Sequence, residues 1–421
     1  MKNYHTSKEI FMKTKLLSLF MLILIMLSTL TGCYDSHGIE DFAYATAIGI
    51  DISEDNSLLL TLQFSNPPSN SESSSEDSNK TTNITVKCNS INSGISLIDS
   101  YINKEINLSH CKVVVISEEL AYQGISEYID TLANSIEVRP DCNLIISKCS
   151  AENFINNAKP LVETLTARFY EVTVRSSEYT GFTTSTKLVD FIGDLQSEYT
   201  QASAILGGLS QSSNYSNTSN DENSNIKSDN AYVAGETPIS DSPRIETFGT
   251  AVFHNSKLIG ELNGIETICH LISTNELRSC TISIPNISTI NSNIDLQIRQ
   301  RKKTKINVDF INNTPYITLY VYLEGYGLSL DENINYSSKE DIEALNLYAE
   351  EYMKAQLENY LYKTSKTFNS DISGFGKYAL SYYLTLDDWL QSHWLENYKN
   401  AFFNVYVDVN IKSGYQFNKS P

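Results

Sequence analysis

The sequence predicts a mixed α/β protein, an α+β arrangement of two to three domains in which mixed β-sheets are flanked by helices. Three observations predict it. In the first half, short apolar runs of strand length alternate with segments of helical period. In the second half, a series of strand-like runs precedes one long amphipathic helix. Between the halves, residues 210–230 hold seven Ser and six Asn and have almost nothing to bury. The 421 residues also exceed one ordinary core at ~150 residues per domain.

Residues 41–51, 58–64 and 83–88 read as strands, the last two separated by a solvated loop over 69–80 rich in Ser, Glu, Asn and Asp. Ile91, Ile95, Ile98 and Ile102 recur at helical spacing within 91–103. A continuous apolar strand over 111–116, a helix over 118–134 and a strand over 143–147 continue the alternation. Residues 151–204 are more helical. Pro160 interrupts them, 163–177 and 187–196 are the helices, and Ser185 or Thr186 caps the second. Residues 179–182 form a turn between the helices, and 201–206 a strand.

Order returns at Thr247. Two runs, 248–253 and 257–262, flank His254-Asn255-Ser256 as a hairpin. Asn263 caps a helix over 265–273. Strands follow over 281–284, 294–301, 305–310 and 316–324, with Pro315 at a strand start. The helix over 337–363 has Ser337 and Glu340 as a capping box. Ile342, Leu345, Ala349, Tyr352, Met353, Leu357 and Tyr360 form its apolar face. Two short helices, 371–383 and 387–393, lead to a closing strand over 403–411.

The domain plan follows. Residues 1–32 are a lipoprotein signal peptide, and 33–207 an N-terminal α/β region. That region is one domain or two, dividing at about 150 into 33–150 and 151–207. Residues 208–245 are a Ser/Asn-rich linker or disordered loop, and 246–421 a C-terminal α/β domain.

The signal rests on Lys2, Lys8, Lys13 and Lys15, then an apolar run over 16–27 broken only by Ser18. That run is short for a span, which needs ~20 residues. Leu30-Thr31-Gly32-Cys33 resembles a bacterial lipobox. Cys33 is therefore the expected lipidation site, carrying diacylglycerol and an acylated amino group such as a palmitate. The bulk of the chain then sits outside the cytoplasmic membrane, anchored by its lipid.

Fifty acidic against 31 basic residues give a net charge of −19. That balance excludes a general nucleic-acid footprint, and it opposes a flat approach to anionic lipid. The six further cysteines are Cys88, Cys111, Cys142, Cys149, Cys269 and Cys280. Their compartment permits disulfides, but several interrupt strand-like runs and read as buried thiols.

Seven short motifs in order carry a resemblance. They are Cys33-Tyr34-Asp35 with Ala47-Ile48-Gly49-Ile50-Asp51; Gly181-Phe182 with Leu188-Val189-Asp190-Phe191; and Gly249-Thr250-Ala251-Val252-Phe253. Lys257-Leu258-Ile259-Gly260, Leu262-Asn263-Gly264-Ile265-Glu266-Thr267, Asp371-Ile372-Ser373-Gly374-Phe375-Gly376 and Val405-Tyr406-Val407-Asp408-Val409 complete them. Together they resemble the Ger(x)C family, the C subunits of spore germinant receptors. The family usually has Trp where this chain has Tyr34. The resemblance implies a lipid-anchored subunit on the outer face of the cytoplasmic membrane, the inner membrane of the spore. It also implies partnership with a polytopic A subunit and a transporter-like B subunit, three α/β-type domains, no enzymatic activity and no cofactor.

The residues themselves hold no catalytic or metal-ligating set. HExxH, CxxC and GxSxG are absent. Asp331, Asn333, Asn335 and Ser337 begin like a calcium loop, but Tyr336 and Ile342 stand where Gly and Glu are needed. Asn263, Gly264, Glu266 and Thr267 read as a helix cap or a partner-contact loop. Asp371, Gly374 and Gly376 read as a tight turn with Asp371 as cap, matching no phosphate-binding pattern. Arg299, Arg301, Lys302, Lys303 and Lys305 form the one basic cluster, either a solvated hairpin rim or a dock for an acidic partner or anionic lipid. The alternative function is an extracytoplasmic solute-binding lipoprotein that captures a nutrient directly, which requires a deep polar cleft.

Overall fold

The computed structural model describes residues 2–29, 38–65, 81–135, 137–159, 166–210, 229–239, 244–286, 293–328 and 338–412. Cys33, the 69–80 loop, Pro160 and the calcium-like residues 331–337 lie outside them. The chain has two units, residues 1–42 and 43–421. The first contains helix α1 (Lys2–Thr29), which includes the apolar 16–27 run. Among the described residues no helix is long and apolar enough to cross a membrane.

The larger unit begins with a nine-stranded mixed sheet. β1 (Phe42–Ile52), β2 (Leu58–Ser65) and β3 (Thr81–Cys88) pair antiparallel. Helix α2 (Ile91–Tyr101) and the short β4 (Glu105–Asn107) lead to β5 (Val113–Ser117). Helices α3 (Glu118–Gln123) and α4 (Ser126–Ala133) precede β6 (Asn143–Ser147). Helices α5 (Ala151–Asn156), α6 (Thr166–Arg175), α7 (Ser177–Thr180) and α8 (Leu188–Leu195) precede β7 (Ser203–Leu209). β1, β5, β6 and β7 run parallel at the centre. Both faces of these strands are covered, so their middles are mostly apolar. Val114 and Ile116 pack with Leu120, Ile129 and Phe191 on one face. Val113 and Val115 pack with Phe154, Ile155 and Tyr170 on the other. The motif ending in Asp51 positions α5, because the Asp51 carboxylate accepts from the amides of Ala151 at 2.6 Å and Glu152 at 2.9 Å.

β8 (Ile245–His254) and β9 (Lys257–Leu262) close the same sheet, β8 antiparallel to β7. The 208–245 stretch therefore does not separate two sheets. Part of it is core: Val233 and Ala234 are buried, and the Ala234 amide donates to the Phe248 carbonyl at 2.8 Å. Ser/Asn content marks only its middle as unable to bury.

Helix α9 (Gly264–Thr274) leads into a second, four-stranded sheet. β10 (Cys280–Pro285), β11 (Asn293–Ile311) and β12 (Thr314–Gly327) are antiparallel. After helices α10 (Lys339–Tyr362), α11 (Gly376–Ala379), α12 (Leu386–Gln391) and α13 (Trp394–Asn397), β13 (Phe402–Lys412) adds parallel to β12. Leu345, Ala349, Met353, Leu357 and Tyr360 of α10 pack on Ile317, Leu319, Val321 and Val405 of one sheet face.

Several boundaries differ from the sequence reading, each for a local reason. The 118–134 helix splits where Gly124 takes φ 117°. The two strands expected over 294–310 are one strand whose register shifts around Lys302, and Asn312 and Asn313, both at positive φ, close its hairpin. The cap of α10 is Ser338, one residue late, accepting from Asp341. Lys187 occupies the α8 cap position, where Asp190 accepts its amide at 3.4 Å. The helix expected from 371 is a turn followed by the single-turn α11. The six cysteines outside the signal are all free thiols.

Candidate functional site

Asp371 is wholly buried, and its carboxylate accepts from the amides of Phe375 at 3.0 Å and Gly376 at 2.9 Å and from Trp394 Nε1 at 2.8 Å. Its carbonyl accepts from the Gln201 amide and Thr200 Oγ1, both at 3.0 Å. The turn thus ties the segment just before β7 to the helices over the second sheet. Burial nevertheless pushes the Asp371 carboxyl up to about 6, against the lowering effect of its donors. Gly374 takes φ 68°, and a Cβ at Gly376 would meet the Tyr199 carbonyl and the Trp394 indole.

Asn263 and Glu266 form a reciprocal cap on α9. Asn263 Oδ1 accepts the Glu266 amide at 3.0 Å, and Glu266 Oε2 accepts the Asn263 amide at 2.9 Å. Glu266 also pairs with Lys363 at 2.7 Å. Thr267 is buried against Thr250, their hydroxyls 3.0 Å apart. A Cβ at Gly264 would lie 2.6 Å from the Phe248 ring and 2.9 Å from the Asn230 carbonyl oxygen. These motif residues thus sit in two local structures, the cap of α9 and the Asp371 turn.

Beside the Asp371 turn, at the C-terminal end of α9, lies a cleft of about 400 Å³. One wall is the 184–203 segment with Asp190 and Asp194, the second is the end of α9 with His270 and Glu276, and the third is the 372–378 turn with Ser373 and Lys377. Asp194 is pushed up to about 7 by burial, and further by Asp190, Glu276 and Asp371. Glu276 is raised by burial and then by Asp190. Burial lowers His270 to about 4, so its ring is neutral at pH 7. Its Nδ1 meets the Tyr360 hydroxyl at 3.0 Å, and that hydroxyl meets Ser373 Oγ at 2.7 Å. The cleft offers hydroxyls, carboxylates and a fixed imidazole. Among the described residues no group of three His, Cys, Asp or Glu could hold a metal ion.

A second feature is the outer face of the four-stranded sheet. Tyr316 stacks on Phe402 at 5.3 Å and Tyr320 on Tyr406 at 5.1 Å, with Phe402 47% and Tyr406 58% exposed. Lys302 lies over Tyr322 and Lys305 over Tyr320, at 5.3 and 5.8 Å. The basic cluster is thus mid-strand. Arg299 pairs with Glu324 and Arg301 with Asp408, whereas Lys302, Lys303 and Lys305 make no ion pair among the described residues.

Two family models match in tandem. "Spore germination protein N-terminal domain" matches residues 35–210, and "Spore germination B3/ GerAC like, C-terminal" matches residues 248–414. The chain belongs to the Ger(x)C family. This is the germinant receptor C subunit type, and its role is in spore germination. Spore germination protein KC of Bacillus subtilis (strain 168) is 26% identical over 149 residues, 34% of this chain. The match spans 37% of that relative's length. The crystal structure of the GerBC protein is similar at a TM-score of 0.48 and 15% identity, over 86% of this chain and 96% of that one.

In this Ger(x)C protein the motifs were legible in the sequence, but the cleft was not. Its walls come from segments about 70 to 100 residues apart, and the one local signal is Asp190 and Asp194, four apart on one face of α8. The raised Asp194 has a consequence for stability. A carboxyl whose folded value exceeds its unfolded one stabilises the fold at low pH, and that contribution is lost as pH rises from about 4 to about 7. Asp194→Asn is therefore expected to unfold at higher denaturant at pH 8, by about 2 kcal/mol after allowing for partial exposure, and to match wild type near pH 4. An equal effect at both pH values in urea titrations would rule out this carboxyl as the source.

Proposed function

We propose that this Ger(x)C protein is a non-enzymatic, lipid-anchored subunit of a spore germinant receptor, required for nutrient-triggered germination through assembly with the A and B membrane subunits. The observation that carries the reading is the tandem match of both family halves across most of the chain, behind the lipobox at Cys33. The anchor would hold the protein on the outer face of the cytoplasmic membrane, the inner membrane of the spore. Two or three acyl chains bind far more firmly than one, at ~0.8 kcal/mol per buried CH₂. Confinement then turns binding to membrane partners into a local event at high effective concentration.

The exposed Tyr and Phe ladder with its unpaired lysines supports the assembly reading. Aromatic and basic side chains are enriched where proteins meet. On a chain of net charge −19, this local cationic patch suits an acidic extracytoplasmic segment of a partner subunit.

The test is to tag the protein in its own host, crosslink isolated spore membranes mildly and identify what copurifies. Recovery of a polytopic A-type and a transporter-like B-type subunit, with crosslinks on the 316–326 and 402–406 strands, is the expected result. Clean recovery of the protein alone refutes assembly. In the same strains, Cys33→Ala is expected to move most of the protein out of the membrane fraction and to slow germination without unfolding the chain. Normal membrane abundance and normal germination in that variant would remove the anchoring claim. The polar cleft favours a second reading, a lipoprotein that binds a solute directly.

A further inference from the structure

We propose that the cleft between the 184–203 segment, the end of α9 and the 372–378 turn binds a small hydroxylated primary ammonium compound. The inference stands on the cleft alone and does not require the assembly reading.

Three observations carry it. The first is charge without a counter-charge. Asp190, Asp194 and Glu276 line the cleft, and none makes an ion pair among the described residues. Lys377 lines it too and is likewise unpaired, so carboxylates outnumber ammonium groups three to one. Carboxylates brought together away from water raise each other's cost of ionisation, and a cation placed between them removes that cost.

The second is His270. It is 4% exposed, and it lines the cleft. Tyr360 holds its Nδ1, and Nε2 makes no hydrogen bond among the described residues. Nε2 is not one of the sealed polar atoms left without a partner, so it opens on the cleft and can bond a ligand or water there. The third is the remainder of the lining. Thr184, Ser185, Thr186, Ser203, Thr274 and Ser373 each bring a hydroxyl that donates or accepts. Such a wall suits a ligand body that is itself hydroxylated.

Size and geometry narrow the class. About 400 Å³ is at the small end of ligand pockets. A calcium ion needs six to eight oxygens around one point, and no three His, Cys, Asp or Glu among the described residues gather to hold a metal. An anion would face the carboxylate excess. The 372–378 wall is held by the hydrogen bonds of the Asp371 turn, and His270 is held by Tyr360.

The test is isothermal titration of the full-length protein in detergent at pH 7.5. The probe is glucamine, with sorbitol as its uncharged analogue and calcium chloride as the inorganic cation. Glucamine is expected to bind one per chain at millimolar affinity or tighter, with sorbitol weaker by at least about tenfold. Glucamine affinity is expected to fall about tenfold at pH 5, where Asp194 is protonated. At pH 7.5 protons should be released on binding, seen as a heat that changes between phosphate and Tris. Asp194→Asn and Glu276→Gln, with unchanged circular dichroism, should each weaken binding at least about tenfold. The fluorescence of Trp389 and Trp394, the protein's two tryptophans, both beside the Asp371 turn, gives an independent readout.

Sorbitol binding as well as glucamine, calcium reproducing the glucamine signal, or no heat from any of the three would each overturn the proposal. The comparison of charged and uncharged probes on wild type decides the matter even if a variant fails to fold. Glucamine binding by a protein that copurifies alone would leave the cleft standing and the assembly reading refuted.

Discussion

Asp371→Ala is expected to destabilise the protein by about 3 kcal/mol near neutral pH, because three buried donors lose their acceptor at once. The donors are the Phe375 and Gly376 amides and Trp394 Nε1, and the carboxylate sits at 0% exposure among them. Each orphaned donor costs about 1–3 kcal/mol, and relief from burying a charge offsets part of the sum. The offset has a pH dependence with a definite sign. The Asp371 carboxyl is raised from 3.8 to about 6 in the fold, so its contribution is fully present below about 4 and declines as pH rises to about 6. The loss on substitution is therefore larger at pH 4.5 than at pH 8. Urea unfolding followed by Trp emission at both pH values measures it, since Trp394 reports its own hydrogen bond. A loss below about 1 kcal/mol would mean that the carboxylate is not the acceptor of this network, and a loss that grows with pH would mean that its donors outweigh its burial.

Gly376→Ala is expected to cost about the same, near 3 kcal/mol, for a steric reason. A methyl group at Gly376 would meet the backbone carbonyl of Tyr199 and would lie 2.5 Å from Trp394 Nε1. Trp394 is itself 3% exposed and stacked on Trp389 at 6.0 Å, so the indole has little room to retreat. The methyl displaces the same indole that Asp371 accepts from. The two substitutions should therefore be far from additive, the double variant losing at least 1 kcal/mol less than the summed singles. Additive losses in the same urea titrations would show that the glycine and the carboxylate act independently.

These two residues illustrate what could be read from the linear chain. Asp371, Gly374 and Gly376 read as a turn with an aspartate cap; they do form a turn, but Phe375 and not Asp371 stands at the cap position of α11. A pattern of three residues could not show that Trp394 and the Thr200-Gln201 backbone would complete it. Those partners come from segments 23 and 171 residues away, and no local preference encodes them. Asn263 and Glu266 are the opposite case. Their reciprocal bonds span three residues, so sequence spacing is enough to fix the geometry.

The 208–245 segment marks another limit. Its Ser and Asn content predicts a middle that buries little, and that middle lies outside the described residues. It says nothing about β8, which returns to pair with β7 across the gap. Strand pairing depends on which edges are open in three dimensions, and composition carries no trace of that.

By itself the sequence determined the alternating elements of the central sheet, the Asn263–Glu266 cap, the amphipathic face of α10, the order of the Ger(x)C motifs and the lipobox that motivates the anchor. Each of these depends on neighbours within one or two helical turns or strand lengths. Only the tertiary structure decided that one sheet runs through both sides of the Ser/Asn-rich stretch. It alone brought Asp194, His270, Glu276 and Ser373 to one cleft, and set an aromatic ladder with unpaired lysines on one sheet face. The reason is that burial, counter-charge and shared cavities are properties of contacts between distant segments, and those exist only once the chain has closed.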